Sequence, residues 1–344
     1  MRVLVVNAGS SSLKLRLLDE HDHVINSADF PAGPNGFDVT ELAEVLDGWG
    51  RPEVVGHRIV HGGTAFSGPV QIDDGVRRQL QQLTDRAPLH QPKSLAALDA
   101  VTAHLPDVTA VACFDTAFHT TIREAAATCA VPREWRERYG IRRYGFHGLS
   151  HAYCSRRAAQ LVDRSLTGLR IVTCHLGAGA SLAAVLDGRS LDTTMGFTPL
   201  EGLVMATRSG TVDPGLVLWL EEHEHLTPHQ VATALEERSG LTALAGTGDM
   251  REVEAAASRG DADAVLAIDV YTHGLVAGIA AMSAAIGGLH VLAFTGGVGE
   301  HSPTVRRLAA ERLEFLGVAI NADINEITSD DGDIGACGAT CVPS

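Results

Sequence analysis

The stretch "VLVVNAGSSSLKLRLLDE", residues 3–20, decides the fold because it holds two strands joined by a turn of small residues. Residues 3–6 form a continuous apolar run, which is typical of a strand in the centre of a sheet. After the turn, three leucines alternate with Lys14 and Arg16, which predicts a second strand with one wetter face. We therefore predict a hairpin whose turn offers backbone N–H groups and hydroxyls.

The same pattern returns in the second half of the chain. The segment "IVTCHLGAGASLAAVLDG", residues 171–188, again has an apolar run, a small-residue turn, a second apolar run and an aspartate. Shifting the first segment by 168 residues places Gly9 on Gly177 and Asp19 on Asp187. This repeat suggests a duplicated domain, although two hairpins can also resemble each other by chance.

The remaining sequence alternates strands with helices. The segment "HVLAFTGGVGEHSPTVRRLAAERLEFLG", residues 290–317, predicts a strand, a glycine turn and a helix. Ser302 suits the N-cap of that helix, Pro303 its first turn and Gly317 its end. This alternation predicts an α/β fold.

Composition narrows the class of protein. The 344 residues carry a net charge of −15, which argues against binding to nucleic acid or to an anionic membrane. The six scattered cysteines and the absence of a signal peptide fit a cytoplasmic protein. Residues 270–299 contain no charged side chain other than histidine and are long enough for a membrane span. Their glycines and histidines favour a buried helix followed by a buried strand.

Three turns of small residues follow predicted strands, at residues 7–12, 175–181 and 296–302. Such turns present bare N–H groups to phosphate oxygens, although ordinary tight turns share their composition. Neither the P-loop motif nor the full dinucleotide-binding glycine motif is present. Together the three turns favour a nucleotide held between two similar halves.

Charged residues near these turns are candidates for binding an anion. Lys14 follows the first turn, Arg58 ends an apolar strand, and Arg208 lies in a loop rich in glycine and threonine. Arginine at such places suits carboxylate or phosphate recognition. Asp115 ends a strand, where carboxylates often meet Mg²⁺. An exposed strand lysine, structural ion pairs and a helix cap are the plain alternatives.

His147 and His151 have the i, i+4 spacing of a zinc-binding helix. The glutamate of that motif is missing and Gly148 interrupts the helix pattern, so zinc is not favoured.

With these residues in place, the chain resembles the acetate kinase family, which shares a superfamily with actin and the sugar kinases. The resemblance covers residues 3 to about 317 and rests on seven blocks in the family's order: "NAGSSSLK", "HRIVHGG", "FDTAFH", "YGFHGLSH", "CHLGAGAS", "TTMGFTPLEGLVMATRSG" and "FTGGVGEHS".

The resemblance implies two ribonuclease-H-like domains of the actin-like ATPase type, over residues 1–117 and 118–344, with ATP in the cleft between them. It also implies a cytoplasmic homodimer that transfers the ATP γ-phosphoryl group reversibly to acetate, with Mg²⁺ as cofactor.

The resemblance further assigns roles to individual residues. The catalytic group is Asp115, His147 and Arg208. The residues expected to bind acetate are Arg58, Val60, Leu89, Phe146 and Pro199. The residues expected to bind ATP are Ser10, Ser12, Lys14, His175, Leu176, Gly177, Ala178, Gly179, Asp249, Met250, Arg251, Gly297, Val298, Gly299, Glu300 and His301. Asn7 is expected to help place Mg²⁺.

The sequence departs from the family pattern at three places. Ala178 stands where the family usually has asparagine, and His301 where it usually has asparagine. The chain stops at "ATCVPS", where the family continues with a segment that carries a glutamate for Mg²⁺ placement. Two alternatives therefore stay open beside acetate kinase: a propionate or butyrate kinase, and a catalytically weak nucleotide-binding relative.

Overall fold

The structure is a computed structural model that describes residues 1–9, 12–31, 37–84, 91–328, 330–336 and 341–343. The chain divides into two compact units, Met1–Thr120 and Thr121–Ser344. The predicted boundary after residue 117 falls in the short 3₁₀ helix Ala117–Thr121.

Unit 1 is built on a six-stranded mixed sheet. Its strands are β1 (Val3–Ala8), β2 (Ser12–Leu18), β3 (Val24–Pro31), β4 (Val54–Ile59), β5 (Val70–Gln71) and β6 (Thr109–Phe114). The spatial order is β3-β2-β1-β4-β6-β5. The β3-β2-β1 part is antiparallel, whereas β1, β4 and β6 run parallel. Its helices are α1 (Val39–Trp49), α2 (Asp74–Gln82) and α3 (Gln91–His104).

The alternating leucines of β2 anchor the core of unit 1. Leu13, Leu15 and Leu17 are buried, whereas Lys14 between them is exposed. They belong to one apolar cluster with residues of β1, α1 and α3. The first hairpin therefore has the predicted strands and the predicted wetter face.

Unit 2 is built on a five-stranded sheet. Its strands are β7 (Arg170–Leu176), β8 (Ala180–Leu186), β9 (Arg189–Thr193), β10 (Val291–Thr295) and β11 (Cys341–Pro343). The spatial order is β9-β8-β7-β10-β11, with the first three strands antiparallel and the last three parallel. The order and sense match β3-β2-β1-β4-β6 of unit 1. The repeat seen in the two hairpins thus extends over five strands of each sheet.

The helices of unit 2 are α4 (Glu124–Ala127), α5 (Arg133–Tyr139), α6 (Gly148–Leu161), α7 (Pro214–His223), α8 (Pro228–Glu237), α9 (Gly240–Ala245), α10 (Met250–Ser258), α11 (Ala262–Ala285), α12 (Gly296–His301), α13 (Pro303–Arg312) and α14 (Ala322–Ile327). By length and composition α11 could cross a membrane. One face of α11 packs against β7 and β8, and β10 follows it. The strand is buried as predicted for residues 270–299, whereas the helix is only partly buried.

The segment after β10 differs from the prediction. Where a glycine turn was expected, the structure has the helix α12. The Glu300 carboxylate accepts a hydrogen bond from the Gly296 N–H, and this bond stabilises the first turn of that helix. Ser302 caps α13 as predicted by accepting from the Val305 N–H. However, α13 ends at Arg312, and a 3₁₀ turn continues it to Gly317.

Candidate active site

The carboxyl ends of three parallel strands of unit 1 bring three predicted site residues together. Asn7 lies near the end of β1, Arg58 near the end of β4, and Asp115 directly follows β6. Because β1 pairs in parallel with β4, and β4 with β6, these positions share one edge of the sheet. We call these three residues the Arg58 cluster.

The guanidinium of Arg58 is held on two sides. Its Nε donates to the Asp115 Oδ2 at 3.0 Å, and its Nη2 donates to the same oxygen at 2.6 Å. Its Nη1 donates to the Asn7 Oδ1 at 2.9 Å. This paired arrangement fixes the plane of the guanidinium.

Burial makes the Arg58–Asp115 ion pair strong. The Asp115 side chain is 2% exposed and the Arg58 side chain 25% exposed. The negative charge of Asp115 raises the pKa of Arg58, against the opposing effect of burial. The guanidinium is therefore permanently charged, and part of the Arg58 side chain reaches solvent.

The first small-residue turn lies beside this cluster in unit 1. Lys14 on β2 is the cross-strand partner of Asn7 on β1, and its side chain is exposed. The Gly9 N–H donates to the Ser12 carbonyl at 2.8 Å. Ser10 lies outside the described residues. Lys14 thus stands next to Asn7 with its side chain exposed, and on its other side it pairs with Asp29 of β3.

The loop after β4 is tied to the end of β6. Val60, an expected acetate contact, is buried with 3% exposure. The Gly62 N–H donates to the Thr116 hydroxyl at 3.0 Å, so the residue after Asp115 holds this loop in place. Leu89, also expected near acetate, lies outside the described residues.

In unit 2, His147 occupies an unusual backbone position. It caps α6 with φ 56° and ψ 22°, the left-handed region that few residues other than glycine adopt. Its Nδ1 lies 2.8 Å from the Ser181 hydroxyl, and its ring centroid lies 4.3 Å from that of His175. The His175 Nδ1 in turn lies 2.8 Å from the Ser150 hydroxyl. Phe146, just before His147, is buried in the core.

Arg208 is the second guanidinium of interest. Its Nη1 donates to the Pro199 carbonyl at 2.5 Å. No carboxylate of the described residues forms an ion pair with it, in contrast to Arg58. Burial lowers the pKa of Arg208, and the charge of Glu236 offsets part of that effect. Arg208 is half-buried, and Glu236 acts on it without forming an ion pair, which favours binding of an anion.

Arg208 and His147 converge over Gly179 in the second small-residue turn. A Cβ added to Gly179 would lie 2.5 Å from the Arg208 Nη2 and 3.2 Å from the His147 Nε2. The absence of a Cβ therefore allows both groups to approach the Gly179 backbone closely. We call Arg208, His147 and Gly179 the Gly179 cluster.

The second turn itself is closed by backbone bonds. The Gly177 N–H donates to the Gly179 carbonyl at 2.9 Å, and the Ala206 N–H donates to the Ala178 carbonyl at 3.1 Å. Leu176 before the turn is buried, whereas Ala178 is exposed. The Ala178 side chain offers no hydrogen-bonding group at this exposed position.

The residues expected near adenosine lie on two connected helices of unit 2. Asp249 is the N-cap of α10, and the Nε of Arg251 donates to the Oδ1 of Asp249 at 3.0 Å. Met250 is buried. The Glu254 carboxylate of α10 accepts from the Ser302 hydroxyl at 2.5 Å, which joins this region to the start of α13.

The other expected adenosine residues fall within or at the end of α12: Gly297, Val298, Gly299, Glu300 and His301. Arg306, itself 1% exposed, donates to the carbonyls of Gly299 and Glu300. Because Thr295 of β10 pairs with His175 of β7, α12 starts at the same edge of the sheet as the second turn. Both turns of unit 2 thus lie together.

Residues 40–338 match the model of the acetokinase family. The chain belongs to the acetokinase family. It is 47% identical over 292 residues to the acetate kinase of Nostoc punctiforme, which covers 85% of this chain and 72% of the relative. It is 42% identical over 359 aligned positions to that of Clavibacter sepedonicus, covering 96% and 91%.

Solved structures of the acetokinase family match the whole chain. The crystal structure of Porphyromonas gingivalis acetate kinase gives a TM-score of 0.89 at 35% identity, covering 100% of this chain and 95% of that one. A propionate kinase from Francisella tularensis gives 0.92 at 32% identity with the same coverage. These matches confirm the predicted family, the duplicated actin-like ATPase fold and the class of enzyme, an acetate kinase-type phosphotransferase. The roles of single residues stay predictions.

Sequence reasoning missed three hydroxyls that hold site residues: Thr116, Ser150 and Ser181. Ser181 had a usable signal, because it is the single polar residue in the otherwise apolar run ASLAAVL of β8. A buried hydroxyl needs a hydrogen-bond partner. Ser150 and Thr116 lie next to motif residues, and nothing in their spacing distinguishes them from ordinary loop residues.

Proposed function

We propose that this acetokinase-family chain transfers the γ-phosphoryl group of ATP to acetate, giving acetyl phosphate and ADP, in a reversible reaction. The observation that carries the proposal is Arg208, a half-buried guanidinium that approaches Gly179 together with His147 and forms no ion pair with a carboxylate of the described residues. A guanidinium and an imidazole placed together in this way are suited to binding a phosphoryl group, whereas a structural arginine would face a carboxylate.

The Arg58 cluster is suited to the acceptor. An arginine has five N–H groups, and bonds to Asp115 and Asn7 use three of those on Arg58. The remaining donors can bind a carboxylate or phosphate oxygen. Acetate is already ionised at neutral pH, since carboxyl pKa values lie near ~4. It therefore needs no general base, and we assign Asp115 the task of positioning Arg58 and the metal.

The Gly179 cluster is suited to the moving phosphoryl group. Phosphoryl transfer depends on in-line positioning and on neutralising charge on the equatorial oxygens. The Arg208 guanidinium and the His147 imidazole both approach Gly179, and His147 can donate beside Arg208 once its Nε2 carries a proton. Donors already fixed in place stabilise a transition state without reorganisation.

Magnesium is compatible with the donors of the Arg58 cluster. Mg²⁺ binds oxygen ligands and usually keeps several waters and substrate phosphates, with only one or two carboxylates from the protein. Asn7 and Asp115 supply an amide and a carboxylate oxygen, and no cluster of three or more metal-binding side chains occurs among the described residues. These residues fit a metal that arrives with ATP, and we infer that they would hold it. The metal would help to neutralise the phosphates.

The Lys14 ammonium and the backbone of the second turn would bind the remaining phosphates, and residues 249–251 and 297–301 the adenosine. A homodimer in the cytoplasm, where ATP is available, accords with this proposal.

A propionate kinase is the second candidate, because a solved propionate kinase matches the fold at a TM-score of 0.92. One methylene in an apolar pocket changes selectivity by only about 1–3 kcal/mol. The same assay with acetate, propionate and butyrate ranks the three acids by kcat/KM.

The experiment that tests the proposal is a hydroxamate assay for acyl phosphate with the purified chain, ATP, MgCl₂ and each acid. Acetyl phosphate should form, and Arg208→Lys should reduce kcat, since lysine cannot supply the same planar donors. Binding of ATP without any acyl phosphate would leave only the nucleotide-binding alternative.

A further inference from the structure

A row of buried polar side chains continues from His147 into the core of unit 2. The Ser181 hydroxyl on β8 lies 2.8 Å from the His147 Nδ1 and 2.8 Å from the His151 Nε2. On the far side of His151, its Nδ1 lies 2.7 Å from the Thr173 hydroxyl on β7. His151, Thr173 and Ser181 are 0% exposed.

The single proton of Ser181 couples the two histidines. A hydroxyl can donate only one hydrogen bond. If Ser181 donates to one imidazole nitrogen, it must accept from the other. One of the two facing nitrogens, and not both, therefore carries a proton while both rings are neutral, so the tautomer of His147 depends on that of His151.

Thr173 sets the direction of the row. Its hydroxyl donates to the Ala183 carbonyl at 3.5 Å, and a carbonyl can only accept. The Thr173 oxygen then accepts from the His151 Nδ1–H, which leaves the His151 Nε2 bare. Ser181 donates to that nitrogen and accepts from the Nδ1–H of His147.

We propose that Thr173, His151 and Ser181 are positioning residues that hold the His147 proton on Nδ1 and turn a bare Nε2 toward Gly179. The proposal rests on the proposed function, in which His147 meets a phosphoryl group. An unprotonated Nε2 cannot donate to a phosphoryl oxygen. His147 must therefore take a second proton before it can donate a hydrogen bond to the phosphoryl group.

The expected pH dependence follows from that second proton. As pH rises and His147 loses its Nε2 proton, kcat should fall. Among the described residues, the charged or titratable groups beside His147 include His175, whose ring centroid is 4.3 Å away, His151 at 6.5 Å, and Arg208 over Gly179. A row that only supported the fold would not change the shape of this profile.

Thr173→Val is the sharpest test, because it changes a residue that does not touch His147. Valine keeps the shape of threonine and removes the acceptor for the His151 Nδ1–H. His151 should then move its proton to Nε2 and donate to Ser181, which must donate to the His147 Nδ1. His147 would become the Nε2–H tautomer, and kcat should persist to higher pH. Thr173→Ser should restore the original tautomer and profile.

The tautomers can be read directly by NMR of protein labelled with ¹⁵N-histidine, using His147→Asn to assign the signal. In the unmodified chain at alkaline pH, His147 should show the Nδ1–H form, and Thr173→Val should show the Nε2–H form. Ser181→Ala, which breaks the row, gives a second variant in which the Nδ1–H preference should be lost. Ser155→Ala is a matched control, since Ser155 is a buried serine of α6 that bonds to the Ala152 carbonyl of its own helix.

An Nε2–H signal for His147 in the unmodified chain would overturn the proposal, as would a Thr173→Val protein with unchanged signal and profile. The NMR result needs no substrate. If the tautomer switches as expected but no acyl phosphate forms, the proposed function fails while the positioning row stands.

Discussion

Replacing Asp115 with asparagine removes the negative charge that holds Arg58, while the shape of the side chain is kept. Asp115 accepts from two nitrogens of Arg58, at 3.0 and 2.6 Å to one oxygen, and is 2% exposed. In Asp115→Asn, an amide NH₂ replaces one oxygen, and Arg58 keeps a charge that no carboxylate neutralises.

The expected cost can be worked from this geometry. Removing one partner of a fully buried ion pair costs about 3–5 kcal/mol. Because the Arg58 side chain is 25% exposed, water compensates part of the loss, and we expect unit 1 to lose roughly 2–4 kcal/mol. Turnover should fall by about 100-fold or more, because the guanidinium loses its fixed position.

Urea unfolding followed by tryptophan fluorescence measures the stability change. Trp49 is the single tryptophan of unit 1, so Trp135→Phe and Trp219→Phe in the background make the signal specific to that unit. The control is Asp107→Asn, an exposed aspartate 3.6 Å from Arg51, which should change stability by less than about 1 kcal/mol. An Asp115→Asn protein within 1 kcal/mol of its parent, with turnover reduced less than about threefold, would refute the reasoning.

Three further predictions concern single residues. His57 is buried, its ring nitrogens have no hydrogen-bond partner among the described residues, and burial lowers its pKa to about 4. Because the unfolded chain takes up that proton near pH ~6.5, the free energy of unfolding should be full above pH ~6.5 and fall by about 3 kcal/mol toward pH ~4. Urea titrations of His57→Met should show a flatter dependence on pH. His147→Asn should keep unit 2 folded, because asparagine tolerates the left-handed backbone at φ 56°, yet it should lower kcat by about 10²–10³-fold. A measurement of Tm checks the folding and the hydroxamate assay checks kcat, and near-normal turnover would remove His147 from the mechanism. Gly179→Ala should push the Arg208 guanidinium aside, since its Nη2 lies 2.5 Å from the new Cβ, and should lower kcat by up to about 100-fold with little change in Tm. The control is Gly48→Ala in α1, an exposed position where a Cβ meets nothing within 4 Å, and it should leave kcat unchanged. Equal activity of the two variants would contradict the crowding argument.

The sequence predicted the framework of both units because hydrophobic alternation is a local signal. The buried leucines of β2 and the exposed Lys14 between them follow directly from the period of a strand. The repeat at residues 171–188 predicted the second hairpin. The order of the five equivalent strands could not be read from these patterns, because it depends on contacts between residues far apart in the chain.

The segment after β10 shows where local rules give the wrong element. Glycine-rich composition predicted a turn at residues 296–302, yet α12 forms there because Glu300 bonds back to Gly296. That side-chain bond stabilises a helix start which glycine alone disfavours. The helix α13 also ends at Arg312, before its predicted end at Gly317, and a 3₁₀ turn over Glu314–Leu316 follows.

The candidate site was predictable where its residues carry charge or belong to a recognisable block. Arg58 and Asp115 were singled out as separate strand-end residues, and their direct pairing became visible only in the structure. The neutral groups behind them were not predicted. Ser181 in particular resembles a small filler residue among alanines and leucines of β8, although its hydroxyl lies between two histidines.

The transfer of phosphorus to a carboxylate oxygen is the claim on which the function depends, and ³¹P NMR with ¹⁸O-labelled acetate tests it most directly. With the purified chain, ATP and MgCl₂, direct attack by acetate should give acetyl phosphate whose phosphorus signal carries the isotope shift of a bridging ¹⁸O. Hydrolysis of ATP to unlabelled phosphate, with no acetyl phosphate signal, would contradict the account.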